Sequence, residues 1–148
     1  VFDPGINALS IVTRILPVPF LLRRAKLHFP ENRQTPILAD LTFDTVDGAP
    51  VTAMFDFLQE GEQTWSIRVE TDGGVLMLTN GGADLFIDGE HQPGPAHDGV
   101  LGGEYAALYD RFADLIAAGR SDVDLTPLTH VADAFMLGER MTAPAFHF

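Results

Sequence analysis

No cysteine occurs among the 148 residues. Disulfides, thiolate metal sites and a cysteine nucleophile are therefore excluded, and nothing points to an oxidising compartment. A cytoplasmic location is expected. Basic residues are scarce: nine Lys and Arg stand against 21 Asp and Glu, a formal net charge of -12. Without a basic patch such a chain repels phosphates, so no nucleic-acid partner is expected. Long apolar runs are missing. None reaches the ~18 residues of a membrane span, and no basic stretch leads into an apolar one as in a signal peptide. No G-x-G-x-x-G and no Walker loop occurs, which closes the usual Rossmann route to a dinucleotide. No G-x-S-x-G marks a serine nucleophile. The five histidines, His28, His91, His97, His130 and His147, form no i, i+3 or i+4 pair. No metal site is expected. His91 and His97 share a stretch with Glu90 and Asp98, where solvated histidines are the better reading.

At 148 residues the chain has the length of one domain, able to bury a core without staples. Repeats and low-complexity tracts are absent, and composition shows no internal boundary. A first helix is expected from about Pro4 to Leu16, ended by Pro17 and Pro19. Phe20 to Phe29 reads as a strand with one charged face. Ala39, Leu41 and Phe43 alternate with Asp40, Thr42 and Asp44 in a strand over 37–46, and Asp47-Gly48 signals a hairpin. The return strand sets Val51, Ala53, Phe55 and Phe57 on one face. A third strand is expected to carry Trp65, Ile67 and Val69 inward. Val75 to Thr79 and Ala83 to Ile87 follow, each after a Gly-rich turn. Asp88 to Gly102 reads as a loop. Glu104 to Ala118 is a helix, since Tyr105, Leu108, Tyr109, Phe112, Leu115 and Ile116 recur at helical steps, with Gly119 as its stop. Thr126-Pro127 opens a last helix ending at 138–140, and 143–148 is expected to close as a strand. The expected class is α+β: an open, mostly antiparallel sheet of about five or six strands, with helices packed on one face. The second sheet face, mixing Met54, Leu58 and Met77 with charges, suits either solvent or another subunit.

The stretch that draws attention is the start, Val1-Phe2-Asp3-Pro4-Gly5-Ile6-Asn7. Asp3 is expected at the N-cap and Pro4 at the first helical position. Asn7, four residues on, shares a helix face with Asp3. Ile6, Ala8, Leu9, Ile11, Val12, Ile15 and Leu16 make the helix apolar nearly all round, which predicts burial between layers. Two polar side chains at its mouth suit a small polar ligand. Spacing alone favours the plainer alternative, an ordinary helix start with Asn7 as a satisfied first-turn group. Trp65 suits either stacking on a sugar ring or the core, and strand position favours the core. Arg14, on an otherwise apolar helix, needs a partner.

Asp3-x-Gly5-x-Asn7 followed by Ala8-Leu9-Ser10-Ile11-Val12-Thr13-Arg14-Ile15 resembles the opening of the C-terminal domain of sugar 1-dehydrogenases, of the D-galactose and L-arabinose type, in the Gfo/Idh/MocA oxidoreductase family. The likeness continues at Phe29-Pro30-Glu31-Asn32-Arg33 and Val131-Ala132-Asp133-Ala134-Phe135. It implies that residues 1–148 are a substrate-binding and oligomerisation domain, with an N-terminal Rossmann domain missing before Val1. A chain opening on valine inside a motif accords with a fragment. The implied reaction oxidises an aldose hemiacetal to the lactone with NAD or NADP, neither of which this chain binds alone. Catalytic roles fall to Asp3 and Asn7, with a lysine of the missing domain, and substrate contacts to Asp3, Asn7 and Trp65. Many relatives carry His at the position of Asn7. An amide does not titrate, so Asn7 cannot be a general base. The resemblance also implies a homo-oligomer through the open sheet face. Two alternatives stand beside the enzyme: a non-catalytic sugar sensor of the same family, and an autonomous ligand-binding or dimerisation module.

Overall fold

The structure is a computed structural model and describes residues 1–62, 64–93 and 104–147. These fall into two compact units: Val1–Glu60 with Val123–Phe148, and Gly61–Asp122.

The first unit begins with helix α1 (Phe2–Ile15) and strands β1 (Phe20–Pro30), β2 (Leu38–Thr45) and β3 (Pro50–Asp56). It ends with helix α3 (Thr126–Leu137) and strand β8 (Glu139–Ala143). The sheet order is β3-β2-β1-β8, antiparallel except for the parallel β1–β8 edge. Alternation along β1 and β2 sends Phe20, Ala25, Leu27, Phe29, Ala39, Leu41 and Phe43 to one face. Leu9 of α1 and Ala134 of α3 complete this core. Each of the large side chains Phe43, Leu27 and Leu41 is fully buried, which contributes about 1.5–3 kcal/mol apiece. The opposite face is charged. Arg23 pairs with Asp44 at 2.9 Å, Arg24 lies 3.8 Å from Glu139, and His28 lies 3.4 Å from Asp40. Leu21 and Met54 are exposed among these pairs.

The second unit holds β4 (Ile67–Thr71), β5 (Gly74–Thr79), β6 (Asp84–Ile87), β7 (Glu90–Gln92) and helix α2 (Glu104–Ala117). Its strands form an antiparallel meander in sequence order.

The α+β class is as expected, but the strands divide between two four-stranded sheets instead of one of five or six. Part of the stretch read as a loop is strand: Asp88 and Gly89 both take positive φ and turn the β6–β7 hairpin. Gly94 to Gly103, including His97 and Asp98, lies outside the described residues. The closing strand comes earlier than expected, at β8, because α3 runs into it without a loop. Gly138, between them, takes extended backbone, and its N–H caps Ala134 O at 3.1 Å. A Cβ there would collide with that same carbonyl and sit 3.0 Å from the Ala25 side chain. The apolar stripe of α2 locates the helix correctly, yet Tyr105, Leu108, Tyr109, Phe112 and Ile116 are each more than half exposed. Among the described residues no helix is long and apolar enough to cross a membrane.

His130 of α3 is 3% exposed. It stacks on Phe20 at 4.4 Å and meets Phe43 edge-on at 5.3 Å. Its Nε2 is buried without a hydrogen-bond partner among the described residues. Burial pushes its pKa below the ordinary 6.5, against the opposing pull of Asp133 and Asp124. The unfolded chain therefore binds the proton more readily than the folded one, so stability is full above pH about 6.5 and falls as pH drops below it.

Two outcomes are expected. Thermal melts should show the midpoint falling between pH 6.5 and 5, with the slope flattened in His130→Phe. Gly138→Ala should lose about 1–3 kcal/mol in urea unfolding, the usual range for forcing an atom into a filled space.

A candidate functional site at the mouth of the first helix

The first turn of α1 is anchored by Phe2. Its ring meets Phe55 of β3 at 6.0 Å and Phe135 of α3 at 5.3 Å. Gly5, one turn on, is buried against the same strand, and a Cβ on it would lie 3.0 Å from the Phe55 ring. Glycine costs a helix roughly 0.5–1 kcal/mol relative to alanine. Here it lets the helix backbone lie directly on an aromatic ring. Positions two residues either side of Gly5 lie about 200° around the helix, on its far side. Asp3 and Asn7 are those positions, and both are exposed. The D-x-G-x-N spacing thus has a physical meaning that the sequence did not disclose. The glycine seats the turn, and the seat aims the two polar groups outward.

Two details differ from expectation. Val1, not Asp3, is the N-cap, and no side chain caps the helix. Asp3 instead lies in the first turn, where its charge suits the helix dipole. The helix is also not covered on all sides within this chain, since only Gly5 and Leu9 are buried. Its outer side carries Asp3, Asn7, Ser10 and Arg14, all exposed and in line at helical spacing. The side chains of Asp3 and Asn7 make no hydrogen bond or ion pair among the described residues. Both are presented to whatever approaches that face. Arg14 has no ion pair at short range among the described residues, but its charge reaches Asp124. Hydrogen bonds from Thr126 hold Asp124 below the usual carboxylate range, and Arg14 adds to this.

Trp65 belongs to the second unit. It precedes β4 instead of lying within it, and is 42% exposed, so it is not core. Its ring edge lies over Gly82, 3.7 Å from where a Cβ would be.

The resemblance by itself assigns the segment 29–33 no physical role. The structure supplies one. Glu31 N–H donates to Ala143 O at 3.1 Å, ending the β1–β8 ladder. The Asn32 side chain then adds one more rung: its Nδ2 donates to Phe146 O at 2.9 Å, and its Oδ1 accepts from Phe146 N–H at 2.8 Å. Arg140 stacks over Phe29, with its guanidinium carbon 3.5 Å from the ring centre. Phe146 in turn meets Phe57 edge-on at 6.1 Å. Val1, Arg33, Thr35, Ile37, Phe57 and Phe146 wall a groove of about 280 Å³ beside the start of α1. A side-chain amide pairing with a backbone 114 residues away leaves no periodic trace in sequence.

Among the described residues no three His, Asp or Glu converge as a metal site. Nor do they form a dinucleotide cradle: both described helix–strand junctions, α1 to β1 and α3 to β8, run from helix to strand and lack a glycine-rich phosphate turn.

Exposed residues without partners contribute little to folding. Asp3→Ala and Asn7→Ala should each shift unfolding free energy by less than about 0.5 kcal/mol. Gly5→Val, which drives side-chain atoms into Phe55, should cost about 1–3 kcal/mol. Chemical denaturation of the three variants checks the contrast.

No family model matches the sequence. Galactose 1-dehydrogenase of Pseudomonas fluorescens is 46% identical over 147 residues, which is 99% of this chain and 47% of that protein. The crystal structure of D-galactose 1-dehydrogenase from Rhizobium etli is 55% identical and superposes with a TM-score of 0.83, covering 99% of this chain and 45% of that one. A 3-ketoreductase from Actinomadura kijaniata, 17% identical, shares the fold with a TM-score of 0.68 over 96% of this chain and 48% of its own. The chain thus spans about half the length of the relatives it matches. Along 99% of its own length the chain is similar to one part of galactose 1-dehydrogenases.

Proposed function

We propose that this chain is the substrate-binding part of an aldose 1-dehydrogenase that oxidises galactose, or a sugar of the same pattern such as arabinose, to its lactone. The observation that carries this is the join of two facts. Sequence identity to galactose 1-dehydrogenases is 46–55%, and the D-x-G-x-N turn presents Asp3 and Asn7 outward with no internal partner. The hydride acceptor in such a reaction would be NAD or NADP. The described residues do not fit a dinucleotide, so it would be held by a Rossmann domain outside this chain.

The parts played by this chain's own residues follow from their chemistry. The Asp3 carboxylate accepts a hydrogen bond from the C1 hydroxyl and orients or relays its proton, acting with a lysine of the other domain. The amide of Asn7 both donates and accepts, which suits a sugar hydroxyl, but it holds no exchangeable charge. Loss of a titrating group at that position is tolerable here because a hemiacetal hydroxyl is more acidic than an ordinary alcohol. Trp65, exposed as it is, offers a ring face for a pyranose. The open face of the first sheet, with Leu21 and Met54 among paired charges, is the surface assigned to self-association. A cysteine-free chain suits the reducing cytoplasm.

The test is an aldose panel, with NAD and NADP, on the longer protein that contains this chain. Galactose or arabinose should be oxidised to lactone. Asp3→Ala should lower kcat by about 10²-fold or more, the span of a lost acid–base group. Asn7→Ala should raise KM by roughly tenfold, the worth of one or two neutral hydrogen bonds. The 148-residue chain alone should show no turnover with either cofactor. Absence of aldose oxidation by the longer protein would sink the proposal.

A further inference from the structure

We propose that Asn32 is a positioning residue for the mouth of α1: by clamping Phe146 it fixes one wall of the groove against which the first turn, and so Asp3, is set. The clamp has two points, both to the backbone of one residue, at 2.9 and 2.8 Å. A single hydrogen bond fixes a distance but not a rotation. Two antiparallel ones, donor to carbonyl and acceptor to N–H, fix both its position and its rotation, as a ladder rung does. The ring so fixed meets Phe57 at 87°, an edge-to-face contact that defines where both rings lie. Phe57 is held from its other side, its N–H donating to Ile37 O at 3.0 Å. Val1, the N-cap of α1, lines the groove these two rings wall, and it also lines a second groove with Phe57, Pro4 and Gly5. The segments that meet there are the end of β1, the end of β3, the segment after β8 and the start of α1. The clamp ties the segment after β8 to the end of β1 across the chain.

The role of Asp3 in catalysis is taken from the function proposed above, and on that reading displacement of the first turn misaligns the carboxylate. A shift near 1 Å costs up to about 10²-fold in rate. The experiment uses the longer protein and compares Asn32→Ala, Phe146→Ala and Thr45→Ala. Thr45 serves as a control because it loses local turn hydrogen bonds of similar kind, including one from Ala49 N–H at 2.7 Å, far from the groove. Amide exchange followed by mass spectrometry should show peptides over Val1–Asn7 exchanging at least about fivefold faster in Asn32→Ala and in Phe146→Ala, and unchanged in Thr45→Ala. On aldose, kcat should fall about tenfold in the first two, with KM moved by less than about twofold. Phe146→Ala keeps the backbone clamp but removes the ring, so it tests the transmitting contact itself. Unchanged exchange at the start of α1 in either variant, or equal acceleration in Thr45→Ala, overturns the inference. A wild-type protein with no aldose turnover defeats the functional reading instead, and the exchange data still decide the role of Asn32.

Discussion

The contact between Gly5 and Phe55 governs the arrangement of this chain's chemistry. Helix backbone lying on an aromatic ring leaves little room for a side chain, and the absence of one at Gly5 eases the approach. Everything polar at the mouth of α1 takes its direction from that seat. If the helix rolled by one residue, Asp3 or Asn7 would turn toward the apolar face of the sheet. The cost of glycine within a helix is small, and Phe2, wedged between Phe55 and Phe135, offsets it with aromatic burial.

Around that seat the first unit is built as two helices on one face of a four-stranded sheet, with charge on the other. The two faces are unequal in energy. The inner one removes whole aromatic and aliphatic side chains from water. On the outer one, ion pairs between exposed groups contribute little individually. His130 is the one buried titratable group in that inner layer among the described residues, and its placement couples the packing of α3 to proton concentration. At the far end of the sheet, β8 joins as a parallel edge. Asn32 then extends the ladder by one rung past the point where Pro30, lacking an N–H, could continue it.

Strand alternation and turn residues made much of the architecture readable. The hairpin at Asp47-Gly48, the burial of Leu41 and Phe43, and the span of α2 follow from local spacing, because burial on one face imposes a period of two on a strand and 3.6 on a helix. The Asp88-Gly89 hairpin was readable in principle, since Asp-Gly is a turn signal, but the surrounding glycines and prolines disguised it as loop. Trp65 illustrates the opposite failure: an aromatic next to a strand pattern looks like core, and only the start of β4 at Ile67 shows otherwise.

The sequence by itself determined the class of fold, the polar pair at Asp3 and Asn7 and the resemblance that gives them meaning, since all three rest on local order and spacing. Tertiary structure decided what those residues face. The glycine seat, the division into two sheets, the amide rung at Asn32 and the burial of His130 each join residues far apart in the chain. Their energies depend on distances and on exclusion of water, quantities that no stretch of sequence carries until the chain has folded back on itself.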